Sequence, residues 1–532
     1  MPHLARNAIT LIVFVLWFGV AAAQDPVPVV RFNVSSFAIV GNNPLDKATT
    51  DTLLAPYLGP QEGLDRLFEA VALLEKTILD SGFSFYRVVL PPQTMEAGVI
   101  TLKVLTIKVA RINTSGNKYF SDDNVRASLP GLKLGATPDT RELSRQLIVA
   151  NNHTAKQVTI RMQQSDQPDR VDVELAVRDQ RPWKLFTSLN NTGSDATGEF
   201  RFTAGAQYSN LFDLDHEITA SYTTAPGHVG DVQQYGFNYR LPLYRFSGDL
   251  ALFYSSSDVD TGRVAQVFDV SGAGRFKGAT YTQTFNNINS YRHQASVAVE
   301  DRLFNNTLAD PTTGAVLVDP VTGRPLVPDV RSRPLTLGYH GEYVLERSRL
   351  DFNVSYSRNL TSGRKNDNTT YGESRAGADV HWQALRFSAS ASHALPGQWL
   401  LNGALSGQLT GEPLISGEQF GVGGVGSVRG YEERAATGDK GLRGSLEVWT
   451  PSAPFLANLR MIGFVDAGYV KSLKTAGTGQ LGSDTLLSAG VGLRWQWKNQ
   501  LNLQLDYGHS LRDARTADAG GTKIHLRLFY GF

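Results

Sequence analysis

The residues that most clearly suggest a chemical role are one arginine inside a glycine-rich stretch and one aspartate inside an apolar strand. Arg429 lies in Gly423–Tyr431 (GGVGSVRGY), and Asp466 lies in Phe464–Gly468 (FVDAG). A guanidinium and a carboxylate form directional, charge-assisted hydrogen bonds when they are shielded from water. Glycines beside the arginine allow a tight turn. Arg429 and Asp466 are therefore candidates for one buried ion pair, provided that the fold brings the loop back against the strand.

The strength of this pair depends on its burial. Removing one partner of a buried pair costs about 3–5 kcal/mol, whereas an exposed pair contributes about 1 kcal/mol or less. The alternative is an arginine in a flexible outer loop and an unrelated strand aspartate.

Other chemistry finds little support in the sequence. The 532 residues include no cysteine, which removes thiol nucleophiles, Cys-ligated metals and disulfides. H-E-x-x-H, G-x-S-x-G and P-loop motifs are absent from the sequence, and Gly421–Gly426 matches G-x-G-x-x-G without a following amphipathic helix. The formal charge of +1 predicts no nucleic-acid partner. We predict no enzymatic activity, no cofactor and no metal.

From Trp183 onward, apolar residues occupy every second position. The clearest case is Leu487–Trp497, where apolar residues alternate with polar or glycine residues. A soluble β-sandwich and an outer-membrane barrel both show this period. About sixteen strands can be drawn, starting near Trp183, Glu199, Asp215, Gln233, Ser247, Gly278, Tyr291, Arg333, Ser348, Gly372, Gln398, Lys440, Asn458, Thr485, Gln500 and Thr522.

The connections between these strands separate the two architectures. Long polar connections, such as Asn305–Ser332 and Glu412–Asp439, alternate with short ones, such as Glu346–Arg347 and Lys498–Asn499. Outer-membrane barrels have short periplasmic turns and longer outer loops, whereas a sandwich has no reason to produce this asymmetry. The sequence therefore predicts a transmembrane barrel.

The final strand follows the same rule. Its predicted lipid-facing residues are Ile524, Leu526, Leu528, Tyr530 and Phe532, with His525, Arg527 and Gly531 facing inward. The chain thus ends on an aromatic residue that is in phase with the apolar face.

Residues 32–180 have a different character, because helical and strand periods alternate there. A strand at Phe37–Gly41 precedes helices near Asp46–Leu58 and Leu64–Ser81 and two further strands. The order strand, helix, helix, strand, strand then recurs, with helices near Ser121–Leu129 and Arg141–Asn151. We predict two small α+β modules in tandem.

The first residues are typical of an export signal. Arg6 precedes an apolar stretch from Ala8 to Val20, and three alanines follow. This run is shorter than the about 20 residues of a spanning helix. We expect a signal peptide at residues 1–23 and a short segment at 24–31.

Several motifs resemble those of one transporter family. Ser81–Tyr86, Leu90–Gln93 and Gly98–Ile100 resemble the first polypeptide-transport-associated (POTRA) domain of two-partner secretion transporters, and Gly116–Phe120 resembles the opening of the second. Val428, Arg429, Gly430 and Tyr431 resemble the family's loop-six motif. Phe464, Asp466 and Gly468 resemble its Phe-x-Asp-x-Gly strand, and Tyr530 and Phe532 resemble the C-terminal signal of the barrel-assembly machinery.

The resemblance to the haemolysin and filamentous haemagglutinin transporters implies a 16-stranded antiparallel β-barrel preceded by two POTRA domains. The implied domains are residues 32–107, 108–180 and 183–532, with loop 412–439 folded into the lumen. The implied function is nucleotide-independent export of a large, unfolded, β-helical exoprotein, possible activation included. The implied setting is a monomer in outer-membrane lipids, assembled by the barrel machinery, with its POTRA domains in the periplasm.

Two alternatives remain at this stage. A general barrel-assembly factor of the same superfamily usually carries more POTRA modules, and a passive porin would not need Arg429, Asp466 or the front modules. Well-known family members place a plug helix before the first POTRA domain, and we expect this chain to lack it. Measurable channel activity is the corresponding expectation.

Overall fold

The computed structural model describes residues 31–194, 197–258, 262–264, 268–270, 273–306, 317–321, 323, 325–454, 456–473, 482–498, 500–514 and 519–532. The expected signal peptide lies outside these residues, as does segment 24–31 except for Arg31. The chain divides into two compact units, Met1–Thr106 and Ile107–Phe532. Within the described ranges, no helix is long and apolar enough to cross a membrane.

The first unit is a small α+β module. Its elements are β1 (Arg31–Val34), β2 (Ser36–Gly41), α1 (Lys47–Leu54), a 3-10 turn (Ala55–Tyr57), β3 (Gly59–Glu62), α2 (Asp65–Asp80), β4 (Tyr86–Val89) and β5 (Val99–Thr106). Strand β5 is central, parallel to β2 and antiparallel to β4. Helix α2 buries Leu67, Leu74 and Ile78, and these belong to the same apolar core as Ile100 and Leu102 of β5.

The second module opens the second unit and repeats this order. It contains β6 (Lys108–Ser115), α3 (Asp122–Ala127), α4 (Thr140–Asn151), β7 (Lys156–Gln164) and β8 (Arg170–Asp179). Strand β8 is central, parallel to β6 and antiparallel to β7. Ser121 and Asp139 cap α3 and α4 by accepting hydrogen bonds from backbone N–H groups of the first turn. The predicted tandem of two α+β modules is confirmed.

The rest of the second unit is a closed antiparallel barrel. Its first part contains β9 (Trp183–Asn190), β10 (Arg201–Leu211), β11 (His216–Thr224), β12 (Gln234–Leu243), β13 (Gly248–Ser257), a loop hairpin of β14 (Gly262–Val264) and β15 (Phe268–Val270), β16 (Gly274–Thr284), β17 (Tyr291–Phe304), β18 (Val330–Ser332), β19 (Pro334–Val344) and β20 (Ser348–Asn359).

The second part contains α5 (Asn368–Ser374), β21 (Gln383–Ala394), β22 (Leu400–Leu409), β23 (Phe420–Val422), β24 (Ala436–Gly438), β25 (Lys440–Trp449), β26 (Leu459–Lys471), β27 (Ser483–Trp497), β28 (Leu501–Ser510) and β29 (Thr522–Gly531). Further 3-10 turns occur at Tyr244–Phe246, Pro396–Gln398 and Ser416–Glu418.

Sixteen strand positions close this barrel, because β18 and β19 both pair with β17 and count as one interrupted strand. Pro334 has no amide hydrogen, so it cannot donate to the ladder at the interruption. Strand β29 returns to β9, with Arg527 opposite Asn190 and Gly531 opposite Phe186. Closure leaves no unpaired sheet edge toward lipid. The predicted 16-stranded barrel is confirmed.

The two faces of the barrel strands differ as the alternation predicts. In β26, Met461 and Val465 are 58% and 50% exposed on the outer face, whereas Phe464 and Asp466 are 4% and 0% exposed on the inner face. The outer face is therefore apolar, and the inner face carries the charge.

The predicted start of one strand is wrong. The strand expected to start near Gly372 is a helix at that point, and the next barrel strand begins only at Gln383. Asp367 caps the helix by accepting the Thr370 N–H at 2.9 Å. Tyr371 is fully buried, so one aromatic anchors a helix that has no apolar repeat. Strands β1 and β3, which β2 and α1 separate in the chain, pair as a small antiparallel two-stranded sheet. This pairing was also not predicted, because Gly59-Pro60 resembles a turn.

The two faces of β20 allow a test of this assignment. Val354 lies near the middle of the strand on the lipid face, and Asn353 points into the lumen. Val354→Lys is expected to lower the free energy of unfolding by about 2–4 kcal/mol, because a lysine near the bilayer midplane is poorly solvated. Asn353→Lys, the matched control, is expected to change it little. Urea unfolding in lipid vesicles measures both, and equal losses would contradict the assignment of faces.

Candidate functional site

The connection 412–439, called loop six below, folds against the inner wall. Its strands β23 and β24 form a hairpin in which Phe420 pairs with Gly438 and Val422 with Ala436. The apolar side of the loop packs against the wall strands β26 and β27. This buried cluster contains Val422, Val428, Tyr431, Ala435 and Ala436 from the loop and Val470 and Leu486 from the wall. The loop therefore lies within the lumen.

Arg429 is the most heavily bonded residue at the loop tip. Its Nε donates to Asp466 Oδ2 at 2.7 Å, and its Nη2 donates to Asp466 Oδ1 at 2.8 Å. Its backbone N–H also donates to Asp466 Oδ2, at 3.1 Å. The arginine is 4% exposed and the aspartate 0%. This bidentate, dehydrated pair has the geometry in which a guanidinium binds a carboxylate most tightly.

Further charged side chains contact the pair. Arg429 Nη1 donates to Glu447 Oε1 at 2.7 Å, and Asp506 Oδ1 lies 3.7 Å from the same nitrogen. Arg494 binds Asp506 with both terminal nitrogens, at 2.7 and 3.0 Å. Two guanidinium groups therefore share three carboxylates. Within the described residues, no group of three His, Asp or Glu side chains is arranged to hold a metal ion, and here the arginines occupy the carboxylates.

The motif of β26 contributes three different contacts. The guanidinium of Arg429 lies 3.4 Å from the ring centroid of Phe464, a cation–π contact beside its ion pair with Asp466. A Cβ on Gly468 would lie 2.9 Å from Val428 Cγ2. The glycine therefore leaves room for the loop. On β27, a Cβ at Gly490 would lie 2.4 Å from the Phe464 ring, so this second glycine leaves room for the aromatic ring.

The other residues of the loop motif reach β28 and β29. Gly430 has φ of +91°, and its N–H donates to His525 Nε2 at 3.0 Å. A Cβ on Gly508 would lie 2.5 Å from the Gly430 nitrogen. Tyr431 is buried, and its hydroxyl lies 2.6 Å from the Arg512 carbonyl oxygen. The tip therefore contacts strands β25 to β29.

At the stem of loop six the signs are reversed: the loop supplies the carboxylate and the wall supplies the arginines. Glu418 has no exposed side-chain surface, and its Oε2 accepts from Arg302 Nη1 at 2.8 Å and from Arg386 Nη2 at 3.1 Å. These arginines lie on β17 and β21. The Gln408 side-chain amide donates to the carbonyl oxygens of Glu418 and Asp439 at 3.0 and 2.9 Å.

Asp439 binds the two ends of loop six to neighbouring loops. Arg375 donates to its two oxygens at 2.6 and 3.0 Å. The backbone N–H groups of Leu414 and Leu473 donate to the same carboxylate at 2.8 and 2.6 Å. One buried carboxylate thus joins the segment after α5, both ends of loop six and the connection after β26.

An apolar layer lies beside these stem contacts. It comprises Phe276, Phe304, Val330, Tyr371, Ala378, Val380, Trp382, Ala384, Leu414 and Ile415. These residues come from strand ends, from the α5 segment and from the start of loop six. The loop is therefore held by ionic contacts at the tip and by mixed apolar and ionic contacts at the stem.

The C-terminal residues continue the last strand to its end. Phe532 exchanges backbone hydrogen bonds with Leu185 of β9 at 2.9 and 3.0 Å. The rings of Tyr530 and Phe532 lie 5.5 Å apart, and Phe532 is half exposed. Both residues are on the outer side of the closing strand, and their role as an assembly signal stays a prediction.

Sequence reasoning missed several residues around the tip. Glu447, Asp506 and Arg494 were not predicted, since isolated charges on alternating strands form no motif. Their inward phase was the only available signal. Gly508 was missed and His525 was expected only to face inward, because the importance of both depends on contact with a loop that lies far away in the chain.

Comparison with known proteins decides the family. The model of the haemolysin secretion/activation protein family ShlB/FhaC/HecB matches residues 169–495. The chain belongs to this family. A ShlB-type POTRA domain matches residues 32–106. Family members are transporters, and the protein is an outer-membrane translocation pore for a secreted exoprotein, with its POTRA domains in the periplasm.

Individual relatives have low sequence identity to this chain, but the matches extend over most of its length. The chain is 23% identical over 451 residues to the outer membrane transporter CdiB of Dickeya dadantii (strain 3937), covering 84% of this chain and 76% of the relative. It is 19% identical over 414 residues to the heme/hemopexin transporter protein HuxB of Haemophilus influenzae, covering 77% and 71%. Each of the two matches covers most of this chain and most of the relative.

Solved structures share the fold. CdiB from Escherichia coli superposes with a TM-score of 0.76 at 17% identity, covering 96% of this chain and 92% of that chain. BamA from Haemophilus ducreyi lacking POTRA domains 1-3 gives 0.52 at 17% identity, covering 94% and 100%. The family match favours the secretion transporter over the assembly factor and the porin.

The approach of the loop tip to β28 yields a test. Gly508→Ala would place a methyl group against the Gly430 backbone, and overpacking of this kind costs about 1–3 kcal/mol. The tip is expected to shift and to become more sensitive to added protease. Gly463→Ala is the matched control, because a Cβ there meets nothing within 4 Å. Equal protease resistance in both variants would contradict the close approach.

Proposed function

We propose that the protein secretes one large, unfolded, β-helical exoprotein of the haemolysin or adhesin type. Folding of the exoprotein outside the cell drives its passage, and no nucleotide takes part. The polar inner wall accommodates an extended chain, while loop six obstructs the path at rest. Opening requires loop six to leave its place against the wall.

The observation that carries this proposal is the buried pair between Arg429 and Asp466. It fixes a loop inside a pore, where a loop without a gating function would only reduce conduction. The motif residues then divide the work. Arg429 binds Asp466 and Phe464, Gly468 admits the loop, and Val428 and Tyr431 fill the apolar contact with the wall.

The rest of the chain serves this pore. Residues 32–107 and 108–180 act as two periplasmic modules that receive the exoprotein by strand addition, at edges such as Tyr86–Leu90 and Lys156–Met162. Residues 183–532 form the lipid-embedded pore, which works as a monomer. The signal peptide at 1–23 directs export, and the barrel-assembly machinery reads Tyr530 and Phe532.

Deletion of the gene distinguishes this function from its rivals. Loss of one secreted protein from the medium supports the proposal, loss of many outer-membrane barrels supports an assembly factor, and loss of solute uptake supports a porin. A neighbouring gene for a large exported repeat protein would identify the exoprotein.

The tip pair can be tested by secretion. Arg429→Ala is expected to reduce secretion strongly and to leave barrel insertion intact, because the buried Asp466 loses its cation and loop six loses its place. Such a loss costs about 3–5 kcal/mol in a buried pair. Arg292→Ala is the control, since the Arg292 side chain is 59% exposed. Exoprotein in the medium and heat-modifiable gel mobility are the readouts, and unchanged secretion would remove the pair from the mechanism.

The stem can be tested by conductance. Glu418→Gln leaves Arg302 and Arg386 without their shared carboxylate, so the purified protein is expected to open more often in planar bilayers. Glu342→Gln makes the same chemical change on β19, where Glu342 pairs with Arg349 at 2.7 Å. Opening frequencies equal to those of this control would show that Glu418 does not restrain the loop.

A further inference from the structure

Another buried ion pair lies where the second module meets the barrel. Lys156, the first residue of β7, donates from Nζ to Asp215 Oδ2 at 2.6 Å. Asp215 belongs to the turn between β10 and β11. Both side chains are completely buried. An ion pair without solvent contact is rare, since each charge must be compensated by neighbouring groups.

Those neighbouring groups come from the α3 segment of the module and from a turn of the barrel. Asn124 of α3 accepts from Lys156 Nζ at 2.6 Å and donates to Asp215 Oδ1 at 2.9 Å. Tyr244, in the next turn of the barrel, donates to Asp215 Oδ2 at 2.5 Å. The Phe120 ring lies 5.1 Å from the lysine nitrogen. Burial lowers the pKa of the Lys156 ammonium, and the Asp215 carboxylate opposes that shift.

The barrel turn is shaped for this contact. Phe212, Asp213 and Asp215 have φ values of +62°, +56° and +60°, a left-handed region that non-glycine residues seldom adopt. This conformation lets the Asp213 carbonyl oxygen accept from Asn124 Nδ2 at 2.9 Å and its carboxylate accept from Ser121 at 2.5 Å. The local strain is balanced by hydrogen bonds from the module.

Further contacts extend the junction along α4 and β10. His153 Nε2 hydrogen-bonds with the Ser209 carbonyl oxygen. Thr154 Oγ1 lies 2.7 Å from Ser209 Oγ and 3.1 Å from Glu217 Oε2. Arg145 of α4 donates to Asn286 at 3.2 Å, in the turn before β17. The module therefore contacts three successive turns of the barrel rim.

We propose that Lys156 and Asp215 fix the second module on the periplasmic rim in one orientation, so that β7 delivers the exoprotein to the lumen from a rigid platform. This inference rests on the proposed function. Strand β7 is an edge of its sheet, in the order β6-β8-β7, so its outer side can accept a strand. Its first residue is the one held in the barrel turn. Lys156 is thus a positioning residue for the secretion step.

The absence of natural cysteine permits a direct test by cross-linking. Thr154→Cys combined with Ser209→Cys replaces two hydroxyls that are 2.7 Å apart, close enough for an S–S bond of about 2.0 Å after a small adjustment. The oxidising periplasm forms the bond, and non-reducing gels detect it. The probe is the tagged exoprotein whose secretion depends on this gene.

The rigid-platform proposal gives definite expectations. The oxidised double-cysteine protein is expected to secrete as well as the parent, because the bond joins parts that already stay together. Loss of secretion on oxidation, restored by a reductant, would show that the module must swing, and it would overturn the proposal. Failure to form the bond would overturn it also.

The ion pair is tested in the same background. Lys156→Met is expected to lose most secretion, and the oxidised cysteine pair is expected to restore it by replacing the anchor. Arg111→Met is the matched control, because the Arg111 side chain in the same module is 54% exposed beside Asp172. Secretion by Lys156→Met equal to the parent, or a loss that the bond does not restore, would overturn the role of Lys156. A parent that secretes nothing would instead refute the proposed function.

Discussion

The position of loop six depends on a guanidinium ion that has been taken out of water. Arg429 leaves its hydration shell and receives Asp466, Glu447 and the face of Phe464 in exchange. Removing either partner of a buried pair of this kind costs about 3–5 kcal/mol. The same pair exposed to water contributes about 1 kcal/mol or less. Entry of water would therefore weaken the pair further, so we expect release of the tip to be cooperative.

The charges of loop six also determine its orientation. At its tip Arg429 meets carboxylates on β25, β26 and β28, while at its stem Glu418 meets arginines on β17 and β21. A loop inserted the other way would place like charges together, which penalises the wrong arrangement. The wall thus specifies one seat for the loop, and glycines at 468 and 508 provide space for its backbone and side chains.

The barrel and the two α+β modules could be predicted from the sequence, because both follow from the spacing of apolar residues along the chain. The inward phase of Phe464 and Asp466 and the outward phase of Met461 and Val465 could be predicted because side chains alternate across a strand. The strand expected at Gly372 failed, because one buried tyrosine and a capping aspartate specify a helix without an apolar repeat. The junction of Lys156 with Asp215 could not be predicted, since no local pattern indicates which distant carboxylate compensates a buried lysine.

The apolar seat beneath loop six has a consequence for the open pore. Val470 and Leu486 are covered by the loop at rest. Departure of the loop would expose this apolar surface to the aqueous passage. Water binds such a surface weakly, and side chains of a passing unfolded polypeptide can touch it briefly without forming hydrogen bonds. The open channel would therefore offer a passing chain only weak contacts along the surface that the loop leaves.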